Sequence, residues 1–269
     1  MNDQDTKFRS VILAGERPGG SPLSHAFNIS ASVMVPVAGQ PALARVIGAI
    51  EDSQSAGGGI ICGPAADAVG KDQALERLLH HPGFEWLEPA SGPAASALSA
   101  VRKLDHFPIL LTAGDHALLS GEIVDAFCRQ ALEAGAEKQC DLVIGFVPYK
   151  LVRDAWPESR RTVLKFSNGR YCGSNLFAIM TPQGGRALEF WRQAEADRKK
   201  PWRIARRFGF IALALYVFRL LSLDAALAGL SKAAGCRIGP VEVGFARAAV
   251  DVDSIEDQKL AERILSTET

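Results

Sequence analysis

Near the middle of the chain the sequence reads Pro108-Ile109-Leu110-Leu111-Thr112-Ala113-Gly114-Asp115. A short apolar run of this kind, bounded by turn residues, is typical of a strand that is buried on both faces. In open α/β sheets, ligands bind outside the carboxyl ends of the strands. The stretch therefore predicts a buried strand with Asp115 at the end where a ligand binds.

Apolar runs alternate with helical patterns on both sides of this strand. The predicted strands cover residues 11–14, 33–37, 59–62, 84–87 and 141–147, and the predicted helices cover 41–50, 72–79, 94–104 and 121–134. This alternation indicates a mostly parallel sheet with helices on both faces. The loops after Ala14, Leu87 and Thr112 should then meet at one edge of the sheet.

The second half of the chain is less regular. Strands are predicted at 161–166 and 170–180, and helical patterns extend from 186 to about 234. A short strand at 250–253 precedes a last helix, which Ser254 is placed to cap. Since no repeat or low-complexity linker interrupts the chain, we expect residues 1–269 to form a single domain.

The composition is that of a globular protein. Hydrophobic residues make up 48% of the chain and charged residues 22%, which excludes wholesale disorder, collagen and coiled coil. Thirty basic and thirty acidic side chains cancel, which argues against nucleic acid as a partner. The five cysteines are scattered without metal-ligand spacing, so we expect reduced, buried thiols. No secretory signal is visible at the polar N-terminus, and we expect a cytoplasmic protein.

One segment breaks the charge balance. Residues 198–223 contain seven cations and no carboxylate, with Trp202 in the cationic cluster and an apolar run at 208–218 behind it. That run is too short for the roughly 20 residues of a membrane-spanning helix. One interpretation is an interfacial anchor that holds the protein on the anionic inner face of a membrane. The other is a buried helix whose flanking cations are solvated or bind phosphate.

Three aspartates are candidate metal ligands. Asp115 suits a divalent cation, which prefers oxygen ligands, and it equally suits a turn or an N-cap. Asp251 and Asp253 alternate along the predicted C-terminal strand and therefore share a face. Two acids on one face repel each other unless a cation or a basic group lies between them. The pattern is compatible with a cation site, with a basic group between Asp251 and Asp253 and, for Asp115, with a turn or capping role.

A glycine-rich loop, Gly15-Glu16-Arg17-Pro18-Gly19-Gly20-Ser21, follows the predicted first strand. The backbone N–H groups of such a loop can cradle phosphates, and an ordinary surface turn is the alternative. A P-loop is excluded, because Ser21-Pro22 stands where a Walker A loop requires Lys-Ser or Lys-Thr.

Four segments in chain order carry a family resemblance. They are Leu13-Ala14-Gly15, Val35-Pro36-Val37-Ala38-Gly39-Gln40-Pro41-Ala42-Leu43, Leu111-Thr112-Ala113-Gly114-Asp115 and Asp251-Val252-Asp253-Ser254-Ile255-Glu256-Asp257. From Val11 to about Leu265 the chain resembles the nucleotidyltransferases with a MobA-like NTP transferase domain. These are relatives of the sugar-phosphate and polyol-phosphate cytidylyl-, uridylyl- and guanylyltransferases.

The resemblance implies a three-layer, Rossmann-like α/β fold of the nucleotide-diphospho-sugar transferase (GT-A-like) type. It would have a mostly parallel mixed sheet and a helical elaboration in its second half. Residues 8–147 would form a nucleotide-binding half, and residues 148–250 an acceptor-binding half with a basic and apolar helical insertion at 198–234. Residues 251–269 would supply a metal-binding strand and helix.

The resemblance also implies an activity, the Mg²⁺-dependent transfer of NMP from an NTP to a phosphorylated acceptor with release of pyrophosphate. CTP is slightly favoured as the NTP, and the acceptor would be a sugar, polyol or lipid-precursor phosphate. Matching positions would bind the nucleotide (Ala14, Gly15, Gly92, Ser96 and Asp115), hold Mg²⁺ and act in catalysis (Asp115 and Asp253, with Asp251 in reserve as a metal ligand) and face the acceptor (Asn175). Such a reaction needs mainly positioning and neutralisation of charge.

The chain departs from the family at two positions. Glu16 stands where a second glycine is usual, and Ser32 stands where a lysine normally offsets the charge of the phosphates. Losing such a contact costs about 10²–10³ in rate. The candidates to replace the cation are Arg17 in the glycine-rich loop, which would then act in catalysis, and Arg161 or Lys165 on the acceptor side.

These departures leave two other functions to consider. A non-catalytic nucleotide-binding or membrane-associated scaffold derived from the family would also tolerate Ser32. A glycosyltransferase that uses an NDP-sugar is disfavoured, because Asp115-His116-Ala117 lacks an Asp-x-Asp pair. Turnover of a bound NTP separates the enzyme from the scaffold.

Overall fold

A computed structural model describes residues 7–16, 19–197 and 219–267. The strands are β1 (Phe8–Leu13), β2 (Pro36–Val37), β3 (Gln40–Pro41), β4 (Ala56–Cys62), β5 (Glu85–Leu87), β6 (Ile109–Ala113), β7 (Leu142–Pro148), β8 (Leu164–Phe166), β9 (Gly169–Ile179) and β10 (Ile238–Glu242). The helices are α1 (Pro22–Phe27), α2 (Ala42–Glu51), α3 (Ala66–Val69), α4 (Gln73–Leu79), α5 (Pro93–Leu104), α6 (Gly121–Lys138), α7 (Tyr149–Ala155), α8 (Gly185–Ala196), α9 (Leu223–Ala234) and α10 (Ile255–Ser266). Arg17 and the basic apolar segment 198–218 lie outside the described residues.

One eight-stranded sheet organises the described chain. Its order is β10-β7-β9-β6-β1-β4-β5, and β8 pairs with β9. Strand β1 is parallel to both β4 and β6, whereas β9 is antiparallel to β6 and β7. The expected mostly parallel, mixed sheet is therefore confirmed.

The predicted central strand β6 lies between β1 and β9, and its side chains alternate between two apolar layers. Leu110 belongs to the core that helices α2 and α6 cover with residues such as Leu43 and Phe127. Leu111, on the opposite face, belongs to the core that α5, α8 and α9 cover with residues such as Leu188. Because each face of the sheet has its own helical layer, the fold is a three-layer α/β sandwich, as predicted.

The hairpin formed by β8 and β9 extends the second half of the chain to the carboxyl edge of the sheet. The C-terminal part of β9 pairs with β6, where Phe177 lies opposite Leu111. Near its start, Tyr171 pairs with Leu164 of β8 instead. Strand β8 therefore continues beside β9 where β6 has ended, next to the residues that follow Ala113.

Two strand predictions need correction. Residues 250–253 form no strand: they follow a 3₁₀ turn at Ala246–Ala249 and lead into α10. The N–H of Val252 donates to the carbonyl oxygen of Asp115 at 3.0 Å, so it bonds a loop in place of a strand neighbour. In the other, residues 33–37, the first two belong to a 3₁₀ turn at Ser32–Met34, and only β2 is a strand. The prediction for the last helix is confirmed, since Ser254 Oγ accepts the N–H of Asp257 at 3.2 Å.

Candidate functional site

The carboxyl ends of β1, β4 and β6 are held closely together. Ala14 N–H donates to the carbonyl oxygen of Cys62, and Gly114 N–H donates to that of Leu13, both at 2.8 Å. A Cβ on Gly114 would lie 3.1 Å from Val33 Cγ1 and 3.3 Å from Ala14 Cβ. Small residues are needed at positions 14 and 114 because the loop after β1 and the loop after β6 begin in contact with each other.

Gly63 supports the glycine loop from the neighbouring strand, a role the sequence did not reveal. Its φ is +91°, and a Cβ there would lie 2.8 Å from the Cα of Gly15. A side chain at position 63 would therefore push into the candidate phosphate loop. The available signal was a glycine directly after a buried strand, which also fits an ordinary turn.

The two departures from the family pattern contact each other. The carboxylate of Glu16 accepts the backbone N–H of Ser32 at 2.5 Å. The loop that would hold phosphates therefore carries an acid, and this acid fixes the segment where a lysine was expected. The sequence showed both substitutions but not their contact.

Asp115 combines a buried oxygen with nearby negative charge. Its residue is partly buried, and its Oδ1 atom is enclosed without a hydrogen-bond partner in the described chain. Burial, and then the charges of Asp253 and Asp251, raise the pKa of Asp115 to about 7. Asp251 and Asp253 therefore lie within electrostatic reach of Asp115.

This arrangement fits a hard divalent cation. A buried carboxylate oxygen normally has a hydrogen-bond donor or a cation beside it. Mg²⁺ commonly binds to one or two carboxylates together with water and substrate phosphates. Within residues 7–16, 19–197 and 219–267, no three His, Cys, Asp or Glu side chains are grouped to hold a metal by themselves. The donor set thus suits an ion shared with a phosphate ligand better than a closed protein site.

His116, next to Asp115, is buried and contributes no positive charge. Burial lowers its pKa to about 4, although the charge of Asp251 and the backbone of Ala248 act in the opposite direction. The ring is therefore neutral at pH 7. The charge that offsets the aspartates comes from elsewhere.

A positive charge beside Asp251 comes from Arg161, for which the sequence predicted a role in acceptor binding. Its Nη1 donates to Asp251 Oδ1 at 2.8 Å and to the Asp251 carbonyl oxygen at 3.3 Å, and its Nη2 donates to Asp257. Asn175, in the left-handed region at φ +51°, donates from Nδ2 to Asp251 Oδ2 at 3.1 Å. Two predicted acceptor residues are thus brought together on Asp251, and the third, Lys165, is exposed on β8.

The other predicted nucleotide residues lie on the loop between β5 and α5. Ser96 is buried, and its Oγ accepts the N–H of Ala90 at 2.9 Å, which fixes the shape of this loop. Gly92 begins α5 without a side-chain cap. A Cβ on it would lie 3.0 Å from a carboxylate oxygen of Glu195. Of the two predicted residues, Gly92 is more accessible than Ser96, and the carboxylate of Glu195 lies beside it.

Comparison with known proteins identifies the relatives of this site. A model of the MobA-like NTP transferase domain matches residues 11–153, which include the end of β1, the glycine loop and Asp115. No curated protein matches the chain.

Three solved structures share the fold. A hypothetical transferase from Thermus thermophilus has a TM-score of 0.76 at 23% sequence identity, covering 94% of this chain and 99% of that one. CMP:2-keto-3-deoxy-manno-octonic acid synthetase complexed with CTP has a TM-score of 0.60 at 11% identity, covering 98% and 100%. The 4-diphosphocytidyl-2C-methyl-D-erythritol synthase of Anaerococcus prevotii DSM 20548 has a TM-score of 0.57 at 11% identity, covering 99% and 100%. The fold is that of nucleotide-diphospho-sugar transferases.

Proposed function

This chain belongs to the nucleotidyltransferases with a MobA-like NTP transferase domain, and on that premise we propose that it transfers NMP from an NTP to a phosphorylated small molecule. The acceptor is a sugar, polyol or lipid-precursor phosphate. CTP is the first NTP to test, because one of the proteins with this fold is described in complex with CTP. The observation that carries the proposal is the enclosed Asp115 Oδ1 at the end of β6, which has no hydrogen-bond partner among the residues that the structure describes.

In the proposed reaction, an oxygen of the acceptor phosphate attacks the α-phosphorus of the NTP. A new P–O bond forms as the bond from the α-phosphorus to the bridging oxygen breaks, and pyrophosphate leaves with that electron pair. No covalent protein intermediate is needed. The task of the chain is to align the two reactants and to offset their charge.

Asp115 and Asp253 would hold Mg²⁺. When bound, the ion would supply charge neutralisation and a template for the phosphates. Asp115 is suited to this by its enclosed oxygen, and Asp253 by its electrostatic coupling to Asp115. Both carboxylates lie beyond the carboxyl end of β6, where the acceptor hairpin β8–β9 also arrives.

The glycine loop would hold the nucleotide through its backbone. Ala14 and Gly15 continue directly from β1, and Gly63 leaves room for them. Gly92, on the loop shaped by Ser96, would contact the base or ribose. Arg17 stays a candidate to replace the family's lysine.

Lys165 is the candidate for the acceptor phosphate. It is exposed on β8, which lies next to β9 beyond the end of β6. Asn175 and Arg161 already donate to Asp251, so they would act on the acceptor side by shaping the site. A Lys165→Met variant should raise the KM for the acceptor and leave the KM for CTP unchanged.

A two-stage experiment tests the proposal. Thermal unfolding is first followed with each of the four NTPs, with and without Mg²⁺, because a ligand that binds only the native state raises the melting temperature. Pyrophosphate release is then measured with the binding NTP and a panel of phosphorylated acceptors. Asp115→Asn is the test variant and Asp125→Asn the matched control. The proposal is abandoned if the wild-type protein neither binds an NTP nor releases pyrophosphate.

The contact between Glu16 and Ser32 favours a second function, nucleotide binding without turnover. An acid beside the phosphates and no lysine at position 32 would weaken charge neutralisation in the transition state. This alternative predicts an Mg²⁺-dependent thermal shift without pyrophosphate release. It also predicts that Ser32→Lys raises pyrophosphate release by about 10²-fold or more.

The cellular location is part of the proposal. No helix in the described ranges is long and apolar enough to cross a membrane. We expect a cytoplasmic enzyme that segment 198–218 holds on anionic membrane surfaces. Co-sedimentation with phosphatidylglycerol vesicles, compared with phosphatidylcholine vesicles at low and high salt, tests this expectation.

A further inference from the structure

The guanidinium of Arg161 links three chain segments beside the candidate site. It lies between α7 and β8, is 8% exposed, and contacts the segment before α10 and the first turn of that helix. Its Nε also donates to Ser159 Oγ at 3.3 Å. With donors committed to Asp251, Asp257 and Ser159, little of the guanidinium is left for a ligand.

Asp251 and Asp115 have opposite hydrogen-bonding states. Both carboxylate oxygens of Asp251 accept hydrogen bonds, Oδ1 from Arg161 and Oδ2 from Asn175. Asp115 Oδ1 accepts none within the described part of the chain. A metal ion would have to displace Arg161 or Asn175 to reach Asp251, whereas Asp115 Oδ1 has no hydrogen bond in the described part of the chain to be displaced.

The same guanidinium anchors the segment that carries Asp253. Asp257 accepts from Arg161 with Oδ1 and from the Ser254 hydroxyl with Oδ2, the latter at 2.6 Å. Ser254 in turn caps α10. Residues 251 and 257 are therefore both fixed to one buried cation, and Asp253 lies between them.

We propose that Arg161 is a positioning residue that keeps Asp251 out of metal coordination and fixes the 251–257 segment so that Asp253 lies beside Asp115. The inference rests on the proposed function, since it concerns the metal site of that function. It replaces the expectation that Arg161 binds the acceptor, and it removes Asp251 from the metal ligands.

The charge of Arg161 gives this role a distinctive signature. Replacing Arg161 with Met removes one positive charge from the surroundings of three aspartates and leaves Asp251 with the hydrogen bond from Asn175 but without its ion pair. Without the guanidinium, the aspartates attract a divalent ion more strongly, because no nearby cation repels it. The variant should therefore bind a divalent ion about tenfold more tightly, while turnover falls about tenfold or more because the ion and Asp253 are misplaced. A merely structural defect would weaken both.

The experiment measures Mn²⁺ binding by calorimetry and turnover by pyrophosphate release. The variants are Arg161→Met, Asp251→Asn, Asp253→Asn and the double variant Arg161→Met/Asp251→Asn. Arg153→Met is the matched control, because Arg153 forms an exposed ion pair with Asp154 on α7. We expect Asp253→Asn to weaken Mn²⁺ binding at least tenfold and Asp251→Asn to change it less than threefold. The double variant should lose the gain in affinity of Arg161→Met.

Each outcome decides a separate question. If wild-type protein binds no Mn²⁺, the proposed metal site is wrong. If it binds Mn²⁺, the inference is overturned when Asp251→Asn weakens binding as much as Asp253→Asn does, or when folded Arg161→Met binds more weakly. Should Arg161→Met not fold, Arg161→Lys retains the charge without bridging both carboxylates, and it should lower kcat with little change in Mn²⁺ affinity. A loss of affinity in Arg161→Lys equal to that of Asp253→Asn contradicts the inference.

Discussion

Two aspartates ten residues apart, Asp115 and Asp125, lie at opposite ends of the parallel strands. Asp125, on α6, lies at the amino end of β4, where it accepts from the Ser53 hydroxyl at 2.6 Å, Ser55 N–H at 2.8 Å and Gln54 N–H at 3.3 Å. Burial alone would raise its pKa, but these hydrogen bonds outweigh burial and lower it. The pKa of Asp115 is raised to about 7.

The difference separates a carboxylate that stabilises the fold from one that is the proposed metal ligand. Donors from three neighbouring residues satisfy Asp125, so its charge stabilises the native state. Asp115 has an enclosed oxygen without a donor in the described part of the chain and two acids nearby, so its charge destabilises the native state. Such an unfavourable carboxylate is typical of functional sites.

The largest expected effect is on catalysis. Asp115→Asn removes a proposed metal ligand and should lower kcat/KM by about 10³-fold. Asp125→Asn should leave kcat/KM within threefold of wild type, since Asp125 lies at the other end of the strands. Pyrophosphate release under saturating Mg²⁺ measures both variants. If Asp115→Asn kept more than a tenth of wild-type activity, Asp115 would not be the proposed metal ligand.

Stability should respond in the opposite sense. The pKa of Asp115 is higher in the native state than its usual 3.8, so the native state binds more protons and stability falls as pH rises from about 4 through 7. Without metal at pH 8, Asp115→Asn should therefore gain about 2–4 kcal/mol over wild type. Little of this gain should remain at pH 4.

Asp125→Asn is the control with the opposite sign. The pKa of Asp125 is lowered in the native state, so its contribution is present above about pH 4 and is lost as the pH falls through the native-state value. This variant should lose about 1 kcal/mol at pH 7. Urea unfolding in EDTA at several pH values measures both variants, and equal signs for the two would contradict the assignment.

Metal binding should depend on pH at the same end of the sheet. The metal needs a deprotonated Asp115, so below about pH 7 the affinity for Mn²⁺ should fall about tenfold for each pH unit. Calorimetry in buffers of different ionisation enthalpy would show proton release near pH 6. Affinity that stays constant from pH 6 to pH 8 would remove Asp115 from the ligand set.

The smallest functional effect is expected at Ser53. Its hydroxyl donates to Asp125 and accepts the N–H of Ala56 at 2.9 Å. Ser53→Ala should lower the free energy of unfolding by about 1–2 kcal/mol and leave CTP affinity within twofold. Ser266→Ala, at the exposed end of α10, is the control for stability. A large loss of CTP affinity in Ser53→Ala would mean that the two ends of the strands are coupled.

Local patterns were enough to predict much of this arrangement. The β6 stretch identified a central strand and placed Asp115 at its carboxyl end, because apolar runs and turn residues act over a few neighbouring positions. The 250–253 prediction failed because the alternation of Val250, Asp251, Val252 and Asp253 imitates a strand. In the structure, Val252 instead bonds to the loop of Asp115.

Contacts between distant segments could not be predicted in the same way. Arg161 and Asp251 are ninety residues apart, and nothing in their local sequence shows that they pair. The same holds for Glu16 and Ser32, whose contact depends on how the glycine loop folds back. Sequence patterns singled out these residues, and the tertiary structure shows which of them contact each other.

The bond between Val252 N–H and the Asp115 carbonyl oxygen joins the middle of the chain to its last helical segment. Closing so long a loop carries an entropic cost that only extensive packing can repay. Mn²⁺ should therefore bind at the proposed site only after the segments around Asp115 and Val252 have packed together in the native structure. A partly folded chain, even one with an intact central sheet, should show no such binding.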